Sequence, residues 1–310
     1  MKKTNTIFGI CVLAVISLIL TGCGPSTSGS VTDYRTGSQG LEISFMRNAP
    51  PSSMYAEDES FSALVEIHNR GVFPGDRDGD LIADIHFTGF DRNIIQGLER
   101  TSVTFREEEA RTRYNPEGGY QVATLEGRVN QATFMNSRID RYDATIRATI
   151  CYPYKTFASV DVCIDPNPNR ASGSNECRPG ITSAGSQGAP IAVTSVETIA
   201  QRGAARFVIT VANVGGGEVI LPEYLGQCTE PSTTRTEYDK IRIVNADLSG
   251  TIPLDCTPSD TINLVNNRAT IVCRADNIDE SGTAYKTLLN LEIDYGYKKA
   301  IQRTMQIRGD

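Results

Sequence analysis

Cys151–Ile164 reads CYPYKTFASVDVCI, and Asp294–Ile307 reads DYGYKKAIQRTMQI. The two stretches align without a gap, so Tyr152-Pro-Tyr154-Lys155 matches Tyr295-Gly-Tyr297-Lys298. Each is led into by a strict alternation. Ala144, Ile146, Ala148, Ile150 and Tyr152 share one face in the first, and Leu289, Leu291, Ile293 and Tyr295 share one in the second. A period of two marks a β-strand with one buried face. The likeness continues upstream. Ala63-x-Val65-x-Ile67-His68-Asn69-Arg70-Gly71 parallels Phe207-x-Ile209-x-Val211-Ala212-Asn213-Val214-Gly215, both being alternating strands that end in Asn-x-Gly. Further back, GSQG occurs at Gly37–Gly40 and again at Gly185–Gly188, followed by LEISF and APIAVTSV. The three matches keep one order at offsets of 148, 144 and 143 residues (Gly37 to Gly185, Asn69 to Asn213, Tyr152 to Tyr295), which is the signature of a tandem duplication.

Helical periodicity is nearly absent; REEEAR at Arg106–Arg111 is too short and polar to matter. Turn signals recur, including Asn266-Asn267 and NPEGG at Asn115–Gly119, which read as hairpins. The expected fold is all-β: two tandem immunoglobulin-like antiparallel sandwiches, 40–165 and 189–310, separated by the polar linker 166–188.

The N-terminus carries a targeting pattern. Lys2 and Lys3 precede an apolar run from Ile7 to Leu20, shorter than the ~20 residues a membrane-spanning helix needs. Leu20-Thr21-Gly22-Cys23 then resembles a prokaryotic lipoprotein lipobox, which implies a signal peptide over 1–22, lipidation of Cys23 and a Ser/Thr/Gly-rich tether over 23–39. Ordinary signal cleavage, or an uncleaved anchor, is the competing reading. The expected location is the outer face of a cell membrane. Removing Lys2 and Lys3 would take the net charge from −7 to −9, and no basic cluster exists elsewhere, so nucleic-acid binding is not expected.

Six cysteines follow Cys23: Cys151, Cys163, Cys177, Cys228, Cys256 and Cys273. An even set in an exported chain, without a C-x-x-C pair, points to disulfides rather than zinc. Cys256 and Cys273 are both in phase with inward residues, which suits a buried bridge. Cys151 and Cys163 read as cross-strand neighbours on the arms of one hairpin, leaving Cys177 to join Cys228. Cys163–Cys177, with Cys151 paired elsewhere, is the alternative.

Two constellations could carry chemistry. Asp76, Asp78, Asp80 and Asp84 crowd GDRDGDLIAD, but glycine falls fourth rather than sixth, so the EF-type calcium template fails and a turn is the preferred reading. His68 and His86 both have outward parity. Were their strands to pair antiparallel about Arg77, the two would become neighbours near Glu66 and Asp84 and could hold zinc or copper, but solvated imidazoles on a sheet face are the preferred reading. G-x-S-x-G, H-E-x-x-H and G-x-x-x-x-G-K-[ST] are all missing, so no catalytic residue and no cofactor are expected. NVGGGEV at Asn213–Val219 reads as a tight connection.

NRGVFPGD…HFTGFD, YNPEGGYQV, CYPYK and the closing strand around Met305–Ile307 together resemble CARDB-type and related Ig-like repeats of prokaryotic, notably archaeal, cell-surface proteins. The resemblance covers both halves, although the cysteines are not part of the CARDB pattern. It implies adhesion, spacing or ligand binding at the cell surface with a protein or envelope partner. On a sandwich such contacts would fall on loops, here Val72–Asp80, Glu107–Gly119 and Gly226–Asp239. The alternative is a lipid-anchored hydrolase or metal-binding protein using His68 and His86.

Overall fold

In the computed structural model, residues 34–309 are described except 59, 76–78, 170–175 and 230–234. The signal segment, Cys23 and the first part of the tether lie outside the described residues, as do Asp76 and Asp78. The first half runs through β1 (Leu41–Phe45), β2 (Ser53–Tyr55), β3 (Ser60–Asn69), β4 (Leu81–Thr88), β5 (Ile95–Gln96), β6 (Arg100–Phe105), β7 (Tyr120–Val129) and β8 (Arg141–Ile164). The second runs through β9 (Ile181–Ser183), β10 (Ile191–Gln201), β11 (Ala204–Asn213), β12 (Glu218–Ile220), β13 (Lys240–Leu248), β14 (Ile252–Pro253), β15 (Asp255–Thr257), β16 (Thr261–Asn263), β17 (Arg268–Ala275) and β18 (Tyr285–Arg308).

Three sheets result. A four-stranded sheet β1-β3-β7-β5 belongs to the first half, and a five-stranded sheet β15-β17-β11-β10-β9 to the second. The third has nine strands and runs β14-β13-β18-β8-β4-β6, with β2 and β12 also on β18 and β16 on β13. The duplication is visible in the order: β1-β3-β7 matches β10-β11-β17, and β4-β8 matches β13-β18. Alternation places the expected side chains inside. Ala63, Val65, Ile67, Leu81, Ala83, Ile85, Phe87, Leu289, Leu291 and Ile293 are all at most 2% exposed.

Each half has one sheet of its own, but the nine-stranded sheet is shared between them. β8 and β18 are both 24 residues long and pair antiparallel from Arg141↔Arg308 to Ile164↔Tyr285. The first part of β8 lies beside β4, whereas the part beyond Tyr152 pairs with the stretch of β18 that also pairs with β13. Conversely, β18 beyond Gly296 runs alongside the first half. Each half therefore takes an edge segment from the other. Pro153 faces Gly296 at the centre, and these two are repeat equivalents, so a pseudo-two-fold axis passes between them.

This straight strand corrects the disulfide reading. Cys151 and Cys163 do not sit on the arms of a hairpin; they are twelve positions apart on β8, roughly 40 Å at strand rise. Such a separation forbids a bridge. Cys151 joins Cys228 and Cys163 joins Cys177, so the expected Cys151–Cys163 and Cys177–Cys228 pairs are replaced. Cys256 and Cys273 are bridged, being direct partners on β15 and β17.

Two turn readings also change. Asn266 and Asn267 both have positive φ and close a tight turn under the single bridge Val265↔Arg268, but β16 pairs with β13 and β17 with β11 and β15, in different sheets, so the expected hairpin shrinks to that one bridge. NPEGG does not make a hairpin, because β6 pairs with β4 and β7 with β3, in different sheets. The two GSQG copies meet, Gly37 N donating to Ser186 Oγ (3.0 Å) and Gly188 N to Gly37 O (3.1 Å).

Candidate functional site

The molecule's centre is a quartet of tyrosines at the pseudo-axis. Tyr152 faces Tyr297 and Tyr154 faces Tyr295, all four at most 1% exposed, with ring centroids 5.9–6.3 Å apart. Burying such rings contributes strongly to stability, but each hydroxyl then needs a partner. Leu41 N donates to Tyr152 Oη (3.0 Å), and Ile191 N donates to Tyr295 Oη (3.3 Å), at the openings of β1 and β10. Phe73 N donates to Tyr154 Oη (3.4 Å), and Gly217 N to Tyr297 Oη (2.7 Å), each four residues after the Asn of an Asn-x-Gly turn. Asn69 and Asn213 complete the match by donating to Phe73 O (2.9 Å) and Gly217 O (2.8 Å). A methyl group at Gly71 would land on the Tyr154 hydroxyl, and one at Gly215 would lie 2.5 Å from that of Tyr297. Both glycines are thus required by close approach. Burial raises all four phenols, that of Tyr297 to about 12, so they stay protonated.

Beside this seam opens a cleft of about 740 Å³. Its floor carries Lys155 and Phe157 of β8 and Glu292 of β18; its walls are Val72, Pro74 and Gly75, then Glu107, Arg111 and Thr112, with Tyr34, Arg35 and Gln187 at the rim. Lys155 and Glu292 form an ion pair (3.1 Å), while the Phe157 ring is 43% exposed. Arg111 organises the wall: Nε donates to Pro116 O (2.8 Å), and Nη1 donates to Thr36 O (2.8 Å) and Arg70 O (3.3 Å). Next to the ion pair, burial holds the Asp294 carboxyl above its usual range, against the pull of Lys155 and Arg242 and with the help of Glu292. The cleft thus sets an exposed aromatic ring among fixed charges of both signs. Two of the three expected contact loops, Val72–Asp80 and Glu107–Gly119, contribute residues here. No described residue of Gly226–Asp239 lines the cleft, and this loop is tied down at Cys228.

Neither histidine lines the cleft, and the two do not meet. The chain passes from the four-stranded to the nine-stranded sheet between β3 and β4, so these strands never pair and the proposed cross-strand metal pair is not formed. His68 lies opposite Glu42 and Tyr120, its ring 4.7 Å from that of Tyr120. His86 lies opposite Arg100 and Thr149. Its Nε2 is buried without a hydrogen-bond partner. Burial first, then Arg100, lowers the His86 pKa, with Asp84 opposing. Burial would raise Asp84, but hydrogen bonds from Arg100 (2.6 Å) and Ser102 (2.7 Å) prevail and hold its carboxyl below the usual range. Ser102 thus donates directly to Asp84 rather than to the neighbouring His86. Asp80 is exposed. Among the described residues, no group of three or more His, Cys, Asp or Glu is placed to hold a metal ion.

The tyrosine quartet and the Lys155–Phe157–Glu292 floor were not singled out as a site in the sequence. One signal for the floor was available: Phe157 is an aromatic residue at outward parity in an alternating strand. No family model and no curated protein matches the chain. Among solved structures, the C-terminal domain of the AgI/II polypeptide BspA from Streptococcus agalactiae aligns with 86% of this chain and 99% of its own, at 7% identity and a TM-score of 0.19. A second structure, BspA_C_WT, aligns with 87% of this chain and 99% of its own, at 6% identity and a TM-score of 0.18. At these values the likeness carries no argument.

Proposed function

We propose that the protein is a non-catalytic surface lipoprotein whose two Ig-like, CARDB-like halves form one stiff module that presents the seam cleft to a protein or envelope partner. The observation that carries this reading is the cleft itself, where two loops of the first half meet the exposed Phe157 ring over an ion-paired floor. Three disulfides suit an oxidising, extracytoplasmic compartment. Attachment through a lipidated Cys23 would hold the module at the membrane while the β8–β18 ribbon keeps its halves at a fixed relation. Among the described residues, no helix is long and apolar enough to cross a membrane.

The test is photo-crosslinking in intact cells, with a photoreactive side chain at Phe157 and a control at the exposed Ile252. A discrete adduct formed from Phe157 alone, and lost in Glu292→Lys, supports the reading. Equal, diffuse labelling from both positions overturns it. Fatty-acid labelling abolished by Cys23→Ala tests the anchor separately.

A further inference from the structure

We infer that the β8–β18 seam is an exchangeable interface: the first half of one copy of this chain pairs with the second half of another, giving a two-fold dimer bridged twice by Cys151 of one chain and Cys228 of the other. The seam joins two sets of strands that each keep one sheet to themselves, since the four-stranded sheet draws only on the first half and the five-stranded sheet only on the second. The backbone crosses between them once, between the end of β8 and the start of β9, through residues 165–180. Among the described residues, the halves otherwise meet through the 24 residue pairs of the ribbon, the tyrosine quartet at its centre, the parallel pairing of β2 with the end of β18, the Lys155–Glu292 ion pair, flanking hydrogen bonds and one disulfide.

Exchange loses none of these contacts. The hydroxyls of Tyr152 and Tyr297 would meet the same amides whether the opposing strand came from the same chain or from a second copy. The partner is specified by this register, because only another copy presents the matching Tyr-x-Tyr strand, the two Asn-x-Gly turns and the cysteine opposite. The intramolecular and exchanged forms then differ mainly in the entropy of closing the connection, which protein concentration offsets. Cys151–Cys228 sits two residues from the pseudo-axis and locks whichever pairing formed first.

The experiment uses two full-length single-cysteine variants, Cys228→Ser and Cys151→Ser. Neither can form the bridge within its own chain. Unfolded together under reducing conditions and refolded in a thiol–disulfide buffer, they should give a reductant-sensitive one-to-one heterodimer at twice the chain mass, with peptide mapping joining Cys151 to Cys228. Its yield should rise with protein concentration, and mixing the variants after folding should give none. Monomers with free thiols and parent-like near-ultraviolet tyrosine dichroism would overturn the proposal, as would disulfide-linked homodimers as abundant as the disulfide-linked heterodimer. Should either variant fail to fold, parent chains carrying two different tags are refolded together. Mixed-tag dimers linked through Cys151 and Cys228 support exchange; their absence at every concentration overturns it.

Discussion

Tyr154→Phe leaves the buried Phe73 amide without the hydroxyl it donates to and the Gly188 carbonyl with only the Val72 amide, a loss of about 1–3 kcal/mol. Gly71→Ala should cost more, because the new methyl collides with the same hydroxyl. Removing that hydroxyl relieves much of the collision, so the double variant should be clearly more stable than the sum of the single changes implies; additivity in urea titrations would refute the contact. His86 makes a different demand. Its folded pKa lies below the ordinary value of 6.5, so as pH falls the unfolded chain takes up the proton first. The stability this neutral ring confers is complete above about pH 6.5 and is lost as pH falls from there through the folded value. Asp84 acts in the same sense, but only below its ordinary 3.8. His86→Gln should therefore flatten the fall in urea midpoint between pH 7 and pH 5, and an unchanged slope would remove His86 as its cause.

Elements were legible wherever alternation met a buried face. The inward set on β4 and the opposition of Cys256 and Cys273 follow from phase alone, because one slip would turn every apolar residue outward. Length was not legible. A single 24-residue strand and a hairpin with two shorter arms show the same alternation, and the Cys151–Ile164 stretch contains no glycine or asparagine to decide between them. From that one ambiguity followed the misassigned bridges and the hidden seam. The same limit separated His68 from His86, since parity gives a side chain its face but not its sheet. The three bridges close loops of 77, 14 and 17 residues, worth about 4.5, 3 and 3 kcal/mol in the chain-entropy model. Replacing each pair by serine should lower the urea midpoint most for Cys151/Cys228 and by similar, smaller amounts for the other two. Equal effects in all three would mean that Cys151–Cys228 does not constrain the unfolded chain across the seam.

At the scale of the molecule, the duplication was readable from three matched segments, yet its consequence was not. Tandem copies suggest independent units, whereas here the repeat equivalents Pro153 and Gly296 face each other and the copies share a sheet. The cleft shares that origin, because loops of the first half come to lie over Lys155 and Phe157 only where β8 runs on into the second half's sheet. A shared ribbon has a thermodynamic consequence. Unfolding either half strips the edge segment from the other and exposes its two buried tyrosines, each a loss on the scale of a large buried side chain. Neither half then retains a closed core. Calorimetry at a concentration where the chain is monomeric should accordingly show one transition whose calorimetric and van't Hoff enthalpies agree, despite a length that would accommodate two domains. Dichroism from the tyrosines and from the backbone should trace the same curve. Two resolved transitions, one keeping the tyrosine signal, would mean that the sandwiches stand alone and that the ribbon only links them.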